Sequence, residues 1–196
     1  MLVKKTHMHP LLITITKSVN KLLFDKPGTY VVFFSNISGT ISCNIVAEQV
    51  KLYMVGLYDL QQKDIFKIHT EQIHTAPHSF SDLFVLSVVR DVTSLSFSGL
   101  IRIEKNAQQS HAYQKNKNLI LSKDAFVNSQ PILEILANDV FCTHGSTSGP
   151  LPKEQLRYLQ MRGLSLAEAE EISIAGFKKQ LYDALSSLGI HEYDTR

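Results

Sequence analysis

Between residues 11 and 143 the chain alternates apolar and polar positions in short runs. Ile13 and Ile15 alternate with Thr14 and Thr16, and Ile101 and Ile103 with Arg102 and Glu104. A period of two marks a strand with one face buried. The runs at 11–16, 29–34, 41–46, 50–55, 64–70, 82–89, 92–97, 100–105, 118–122, 131–136 and 139–143 therefore read as strands, rich in Val, Ile, Phe and Thr. Their centres lie roughly seven to twelve residues apart, a spacing typical of all-β folds. Neither Asn-Gly nor Asp-Gly occurs anywhere, which disfavours a meander of two-residue hairpins. A sandwich, a barrel and a stacked β-helix stay open on pattern alone.

Near Pro150 the period changes. Pro152 suits the first turn of a helix, where its missing N–H would be unpaired anyway. Leu156, Tyr158 and Leu159 give that helix an apolar side, and Gly163 is placed to end it in a left-handed conformation. Ser165 to Glu168 has the form of a capping box. A second helix follows, with Ile172, Phe177, Leu181, Leu185 and Leu188 near helical spacing and Gly189 as its stop. The division expected is a β core over 1–149 and a helical segment over 150–196.

Composition narrows the class. The chain has 196 residues, 44% of them hydrophobic, enough for a sizeable core. Net charge is +2 and no basic block exceeds the pairs Lys4-Lys5 and Lys178-Lys179, so no nucleic-acid partner is expected. No apolar stretch approaches the roughly 20 residues of a membrane span, so no membrane partner is expected either. Two cysteines, Cys43 and Cys142, and an unconvincing apolar start point to a reducing, cytoplasmic setting.

The stretch 141–149, FCTHGSTSG, holds the densest candidate chemistry. It reads as a short strand meeting a Gly/Ser turn that opens a helix. A phosphate loop would need Lys-Ser/Thr after the second glycine, and Pro150-Leu151 stands there instead. Cys142 and His144 lie two apart, so on a strand they share a face. They could make a thiolate–imidazole pair or hold a soft metal, or be a buried thiol beside a turn histidine. A second candidate is His69, His74 and His78, in a stretch read as a loop, as the metal ligands of a β-helix or cupin-like enzyme. His7 and His9 flank Met8 near the start. Asp82, Asp91, Glu104, Asp124, Glu134 and Asp139 are available as carboxylates, with no pairing that spacing certifies.

The stretch 129–177 closely resembles the end of the SufB/SufD family, the scaffolds of SUF iron–sulfur cluster assembly. The resemblance is carried by Pro131, Leu133, Glu134 and Ile135; by Asp139-Val140; by His144, Gly145, Thr147 and Gly149; by Gln155, Leu156, Tyr158 and Leu159; and by Arg162-Gly163 and Gly176-Phe177. Residues 97–125 resemble the preceding rungs, and 74–94 do so more loosely. The family implies a mainly β fold, a right-handed parallel β-helix with a C-terminal two-helix segment, here in a shortened form without the usual N-terminal helical domain. Thr143-His144-Gly145 and the absence of a cysteine between Cys43 and Cys142 are SufD-like. Ser146, where the family usually has Ala, is a mild departure.

The resemblance further implies a scaffold rather than an enzyme, with ATP hydrolysed by a SufC-like ABC-type ATPase partner. It implies pairing with a SufB-like scaffold or with an identical chain. His144, with Cys142 beside it, would then face the partner at a cluster-assembly interface and serve as a transient metal ligand. The cargo would be a transient iron–sulfur cluster, with no stably bound cofactor. The helical segment would dock the ATPase, with Arg157, Arg162, Glu170 and Lys178 as exposed docking residues and Leu156, Leu159 and Phe177 mostly in the core.

Overall fold

The computed structural model describes residues 10–191. His7, Met8 and His9 lie outside them. Eleven strands are followed by two helices: β1 (Leu11–Ile15), β2 (Val19–Phe24), β3 (Gly28–Ser35), β4 (Gly39–Ile45), β5 (Val50–Leu60), β6 (Ile65–His74), β7 (Phe80–Val89), β8 (Ser94–Ile103), β9 (His111–Ile120), β10 (Phe126–Ile135), β11 (Phe141–Gly149), α1 (Lys153–Met161) and α2 (Leu166–Ser187).

Odd and even strands separate into two sheets. One has the order β1-β3-β5-β7-β9-β11 and the other β10-β8-β6-β4-β2, and every pairing is parallel. The chain thus winds as a parallel β-helix. Lys51 pairs with Phe80, Phe80 with His111, and His111 with Phe141, so one coil takes about 30 residues. That length hides the repeat, because equivalent positions carry different side chains from rung to rung. Three successive coils turn one corner through a left-handed residue: Gln49, His78 and Gln109 have φ of 57°, 52° and 56°. These corners stack through backbone bonds, Gln49 N–H to the His78 carbonyl at 3.1 Å and His78 N–H to the Gln108 carbonyl at 3.0 Å.

Two apolar layers hold the structure. The inner one fills the β-helix with Phe34, Ile41, Leu52, Met54, Tyr58, Leu83, Leu95 and Phe97, all essentially inaccessible. Tyr58 keeps its hydroxyl satisfied by donating to the Ile37 carbonyl at 2.7 Å. The outer one joins α2 to the outside of the odd-strand sheet, where Ile174, Leu181, Leu185 and Ile190 meet Val31, Phe33, Val55, Leu86 and Val88. This explains why β7 reads as a continuous apolar run: both of its faces are covered.

Gly56 shows how tightly the inner layer is filled. It is the register partner of Phe34, and a β-carbon at Gly56 would lie 2.5 Å from the Phe34 ring. Gly56→Ala is expected to destabilise the fold by about 1–3 kcal/mol through overpacking, read as a lower denaturant midpoint at unchanged slope.

Several sequence expectations are revised. β2 was not signalled by any alternation. The runs at 92–97 and 100–105 are one strand, β8, continuous through Gly99. The run at 118–122 is the end of β9, whose earlier inward positions are Ala112, Gln114 and Asn116 rather than large apolar residues. The run at 64–70 extends as strand β6 to His74, into the stretch read as a loop. The Gly/Ser turn at 145–149 is not a turn but the continuation of β11, held by parallel pairing from Phe141↔His111 to Gly149↔Leu119.

In the helices, Pro152 occupies the N-cap rather than the first turn (φ −61°, ψ 124°). Leu156 and Leu159 are only half-buried and α1 has no buried residue, so they are not core. Ile172 is exposed, pointing away from the Leu181 side. The capping box forms as read, with Glu168 N–H donating to Ser165 Oγ and Ser165 N–H to the Glu168 carboxylate at 2.8 Å. The Ser165 hydroxyl, which donates to the same carboxylate at 2.7 Å, and then the Ser165 N–H hold the Glu168 carboxyl below its ordinary pKa. Gly163 and Gly189 end the two helices with φ of 93° and 78°.

Candidate functional site

Among the described residues, the β-helix ends on two strands paired on one side only, β11 in one sheet and β10 in the other. An edge strand exposes a row of unpaired N–H and C=O groups and is a template for pairing. Register decides which way the β11 side chains point. Cys142 pairs with Ala112 and His144 with Gln114, and both of those are buried on the inward face of β9. Cys142 and His144 therefore share the inward face of the terminal rung.

Their environments differ. Cys142 is half-buried against the cluster of Ile101, Ile103, Ala112 and Ala137, and burial raises its thiol pKa. The thiol is accordingly held protonated at neutral pH, unlike an activated nucleophile. His144 is exposed and borders a recess of about 390 Å³ shared with Asp82, Tyr113, Gln114, Lys115, Thr143 and Gly145. Asp82 in that recess is pushed upward by burial, with the Lys115 ammonium acting in the opposite direction. The pair thus offers one accessible imidazole and one recessed thiol, and no hydrogen bond between them is found.

Around this rung the surface is apolar. Phe126, Ile132 and Leu133 of β10, Leu136 beyond it and Phe141 at the start of β11 are all exposed, Phe126 and Phe141 by more than half (59% and 55%). Phe141 stacks on His111 (ring centroids 6.1 Å) and approaches Tyr113, which continues through Phe80 to Tyr53. Sequence reading missed this aromatic ladder because its members are scattered from Tyr53 to Phe141. Only the coil length brings them together.

The second candidate, His69, His74 and His78, is not a cluster. His69 is on the outer side of β6, 3.2 Å from Glu71. His74 points into the core, fully buried, with Nδ1 2.7 Å from Ser79 Oγ and Nε2 2.7 Å from Ser81 Oγ. His78 sits at a corner and borders an 850 Å³ groove that His69 and His74 do not reach. Among the described residues no group of three His, Cys, Asp or Glu is arranged to hold a metal ion. Of the carboxylates, Glu104 and Glu134 both lie on Arg102, at 2.8 and 3.8 Å, as an ion-pair group rather than facing each other across a groove.

On the helices, Arg157, Arg162 and Glu170 are exposed, and Arg162 lies over the Tyr158 ring at 5.2 Å. Lys178 pairs with Asp59, which also holds Arg90 at 2.9 Å, and so ties α2 to the sheet. Tyr158 and Ile172, read from the sequence as parts of apolar helix sides, are exposed, as are Met161 and Leu166, which sequence reading did not single out. Only the packing of α2 shows which of its sides is covered. Neither helix is long and apolar enough to cross a membrane.

Comparison with known proteins agrees with this architecture. Residues 34–177 match the family model described as the SufBD core domain of SUF-system FeS cluster assembly. The chain is 36% identical over 106 residues to the iron–sulfur cluster assembly protein SufD of Escherichia coli, covering 54% of this chain and 25% of that one. It is 33% identical over 121 residues to SufD of Bacillus subtilis (62% and 28%). It is 30% identical over 138 residues to a SufBD family protein of Synechocystis (70% and 30%). The aligned stretch thus spans less than a third of each of these relatives. With its parallel β-helix, its two C-terminal helices and a family match over most of its length, the chain belongs to the SufB/SufD family of iron–sulfur cluster assembly proteins and is SufD-like.

Proposed function

We propose that the chain is a SufD-type scaffold subunit in the cytoplasm, with no turnover chemistry of its own. It pairs through its terminal β rung with a SufB-like scaffold or a second copy of itself, and docks a SufC-type ATPase on its helices. The observation that supports this most is the exposed edge formed by β10 and β11, ringed by Phe126, Ile132, Leu136 and Phe141, with His144 set in it. A second scaffold laid on that edge would satisfy its backbone groups and cover its apolar rim.

In this arrangement a nascent iron–sulfur cluster is cargo held transiently between subunits. The His144 imidazole is the ligand this chain presents. Cys142, recessed and kept protonated by burial, is less ready to give a thiolate, so sulfur ligands would come from the partner. A ligand set shared across an interface is released when the interface moves, which couples cluster release to the ATPase. The exposed Tyr158, Met161, Leu166 and Ile172, with Arg157, Arg162 and Glu170 at their rim, make the helices the docking face.

The test is copurification with SufB- and SufC-like partners, followed by cluster reconstitution. His144→Ala is expected to leave both partners bound and to lower cluster yield at least several-fold. Failure of the wild-type chain to bind either partner would sink the docking reading. Normal cluster yield in His144→Ala would leave a docking scaffold without a ligand role.

A further inference from the structure

We infer that His74 is an acid-sensitive latch on the corner between β6 and β7: its neutral imidazole carries its proton on Nδ1 and closes the corner through serine hydroxyls, and a second proton opens it. His74 ends β6, and its ring spans the corner to the entry of β7, with Nδ1 2.7 Å from Ser79 Oγ and Nε2 2.7 Å from Ser81 Oγ. All three side chains are essentially inaccessible. Ser79 Oγ goes on to the Ala76 carbonyl at 3.2 Å, within the corner, and meets Ser110 Oγ of the next coil at 3.0 Å. The Ser110 hydroxyl also reaches the Ala76 carbonyl, at 3.4 Å. One imidazole and three hydroxyls thus fasten two successive corners together.

The proton positions follow from the acceptors within reach. A neutral imidazole has one N–H and one acceptor nitrogen. Among the described residues, Ser81 Oγ meets no acceptor other than His74 Nε2, so the Ser81 hydroxyl donates there and the ring proton lies on Nδ1. Nδ1–H then donates to Ser79 Oγ, and the Ser79 hydroxyl donates to the Ala76 carbonyl. The reverse tautomer would leave the buried Ser81 hydroxyl without an acceptor. A second proton, on Nε2, has the same effect, and this is how acid opens the latch. The ring pairs in register with Ile45 and Ile103. The charged or titratable groups nearest in sequence to these two and to Ser79, Ser81 and Ser110 are Cys43, Arg102, Glu104, His78, Asp82 and His111, and Glu71 is nearest on β6 itself. Cys43 is buried and held protonated, and the others lie at partly or fully exposed positions. Burial is the only cause acting on His74, and it lowers the pKa to about 4. The outer side of the corner lines the 850 Å³ groove through His78 and Phe80, so opening the latch reshapes that groove.

Two measurements on the full chain decide the matter. In long-range proton–nitrogen spectra of the wild-type protein at pH 7, His74 is expected to show a protonated Nδ1 and an unprotonated Nε2. The opposite assignment would overturn the inference. Amide exchange reads the opening. The Thr75, His78 and His111 N–H groups bond to the Ile45, Gln108 and Ser79 carbonyls around the corner. In the wild-type protein they are expected to open more readily than the amides in the middle of β5. After correction for intrinsic exchange, their protection should fall about 20-fold between pH 7 and pH 5, the factor set by a pKa of 6.5 in the open corner and about 4 in the closed one. In His74→Gln that pH-dependent loss should vanish. Corner amides that open only together with β5, or a loss undiminished in the variant, would overturn the latch.

Discussion

Lowering the pH from 7 to 5 is expected to remove about 2 kcal/mol of stability through one residue, His74. Burial lowers its pKa from 6.5 to about 4. Its neighbours in the core, Ser79 and Ser81, are uncharged and give the imidazolium no counter-charge. The folded state therefore binds fewer protons than the unfolded state between those two values. Stability is fully present above pH 6.5 and is lost as pH falls towards 4. Asp82, whose folded pKa is raised by burial, acts in the opposite sense, gaining stability as it protonates. His74→Gln keeps a hydrogen-bonding side chain between the two serines but cannot titrate. Urea unfolding at pH 7 and pH 5 should show a smaller pH dependence in the variant, and equal slopes in both proteins would reject His74 as the source.

The same residue shows how far the sequence could be read. Local signals sufficed for much of the fold: alternation marked most strands, and helical spacing, a capping box and two terminal glycines marked the helix pair. It could not tell which face of β6 was inward, because Thr70, Gln72 and His74 are polar residues at core positions. That is why His74 reads from the sequence as a candidate metal ligand in a loop and why β9 is legible only at its apolar end. The polar stretch 145–149 looked like a turn for the related reason that the terminal rung has no neighbour to bury it. His144 and Cys142 were legible as a pair on one face, since two residues of a strand suffice for that. Their surroundings were not legible, because Asp82, Tyr113 and Lys115 come to the recess beside His144 from other coils, and Ile101 and Ile103 come to Cys142 from β8. Family resemblance supplied the β-helix, which pattern alone left open among three all-β folds.

Truncating Leu181 is expected to have the largest effect of any single apolar substitution in the helices. Leu181 is wholly buried between α2 and the odd-strand sheet, in the layer with Leu185, Ile174, Val55, Leu86 and Val88. Leu181→Ala should cost about 2–5 kcal/mol, transfer and cavity terms together. How that loss is distributed follows from the two-layer construction. The inner layer is contained within the β-helix and does not include α2. The hold on α2 is the outer layer, supplemented by the Lys178–Asp59–Arg90 group, whose side chains are about a quarter to a third exposed and whose ion pairs are correspondingly weak. The loss should therefore appear first as local opening of α2. Amide exchange there is expected to accelerate by a factor of about 30 or more, while β5 and β7 keep their protection. Equal acceleration in helix and sheet would mean that the two layers fold as one unit. Under the scaffold reading, the local outcome also separates the two docking functions. Leu181→Ala should weaken ATPase binding at the helices and leave scaffold pairing at the β11 edge intact, because that edge is built by register with β9 rather than by contact with α2.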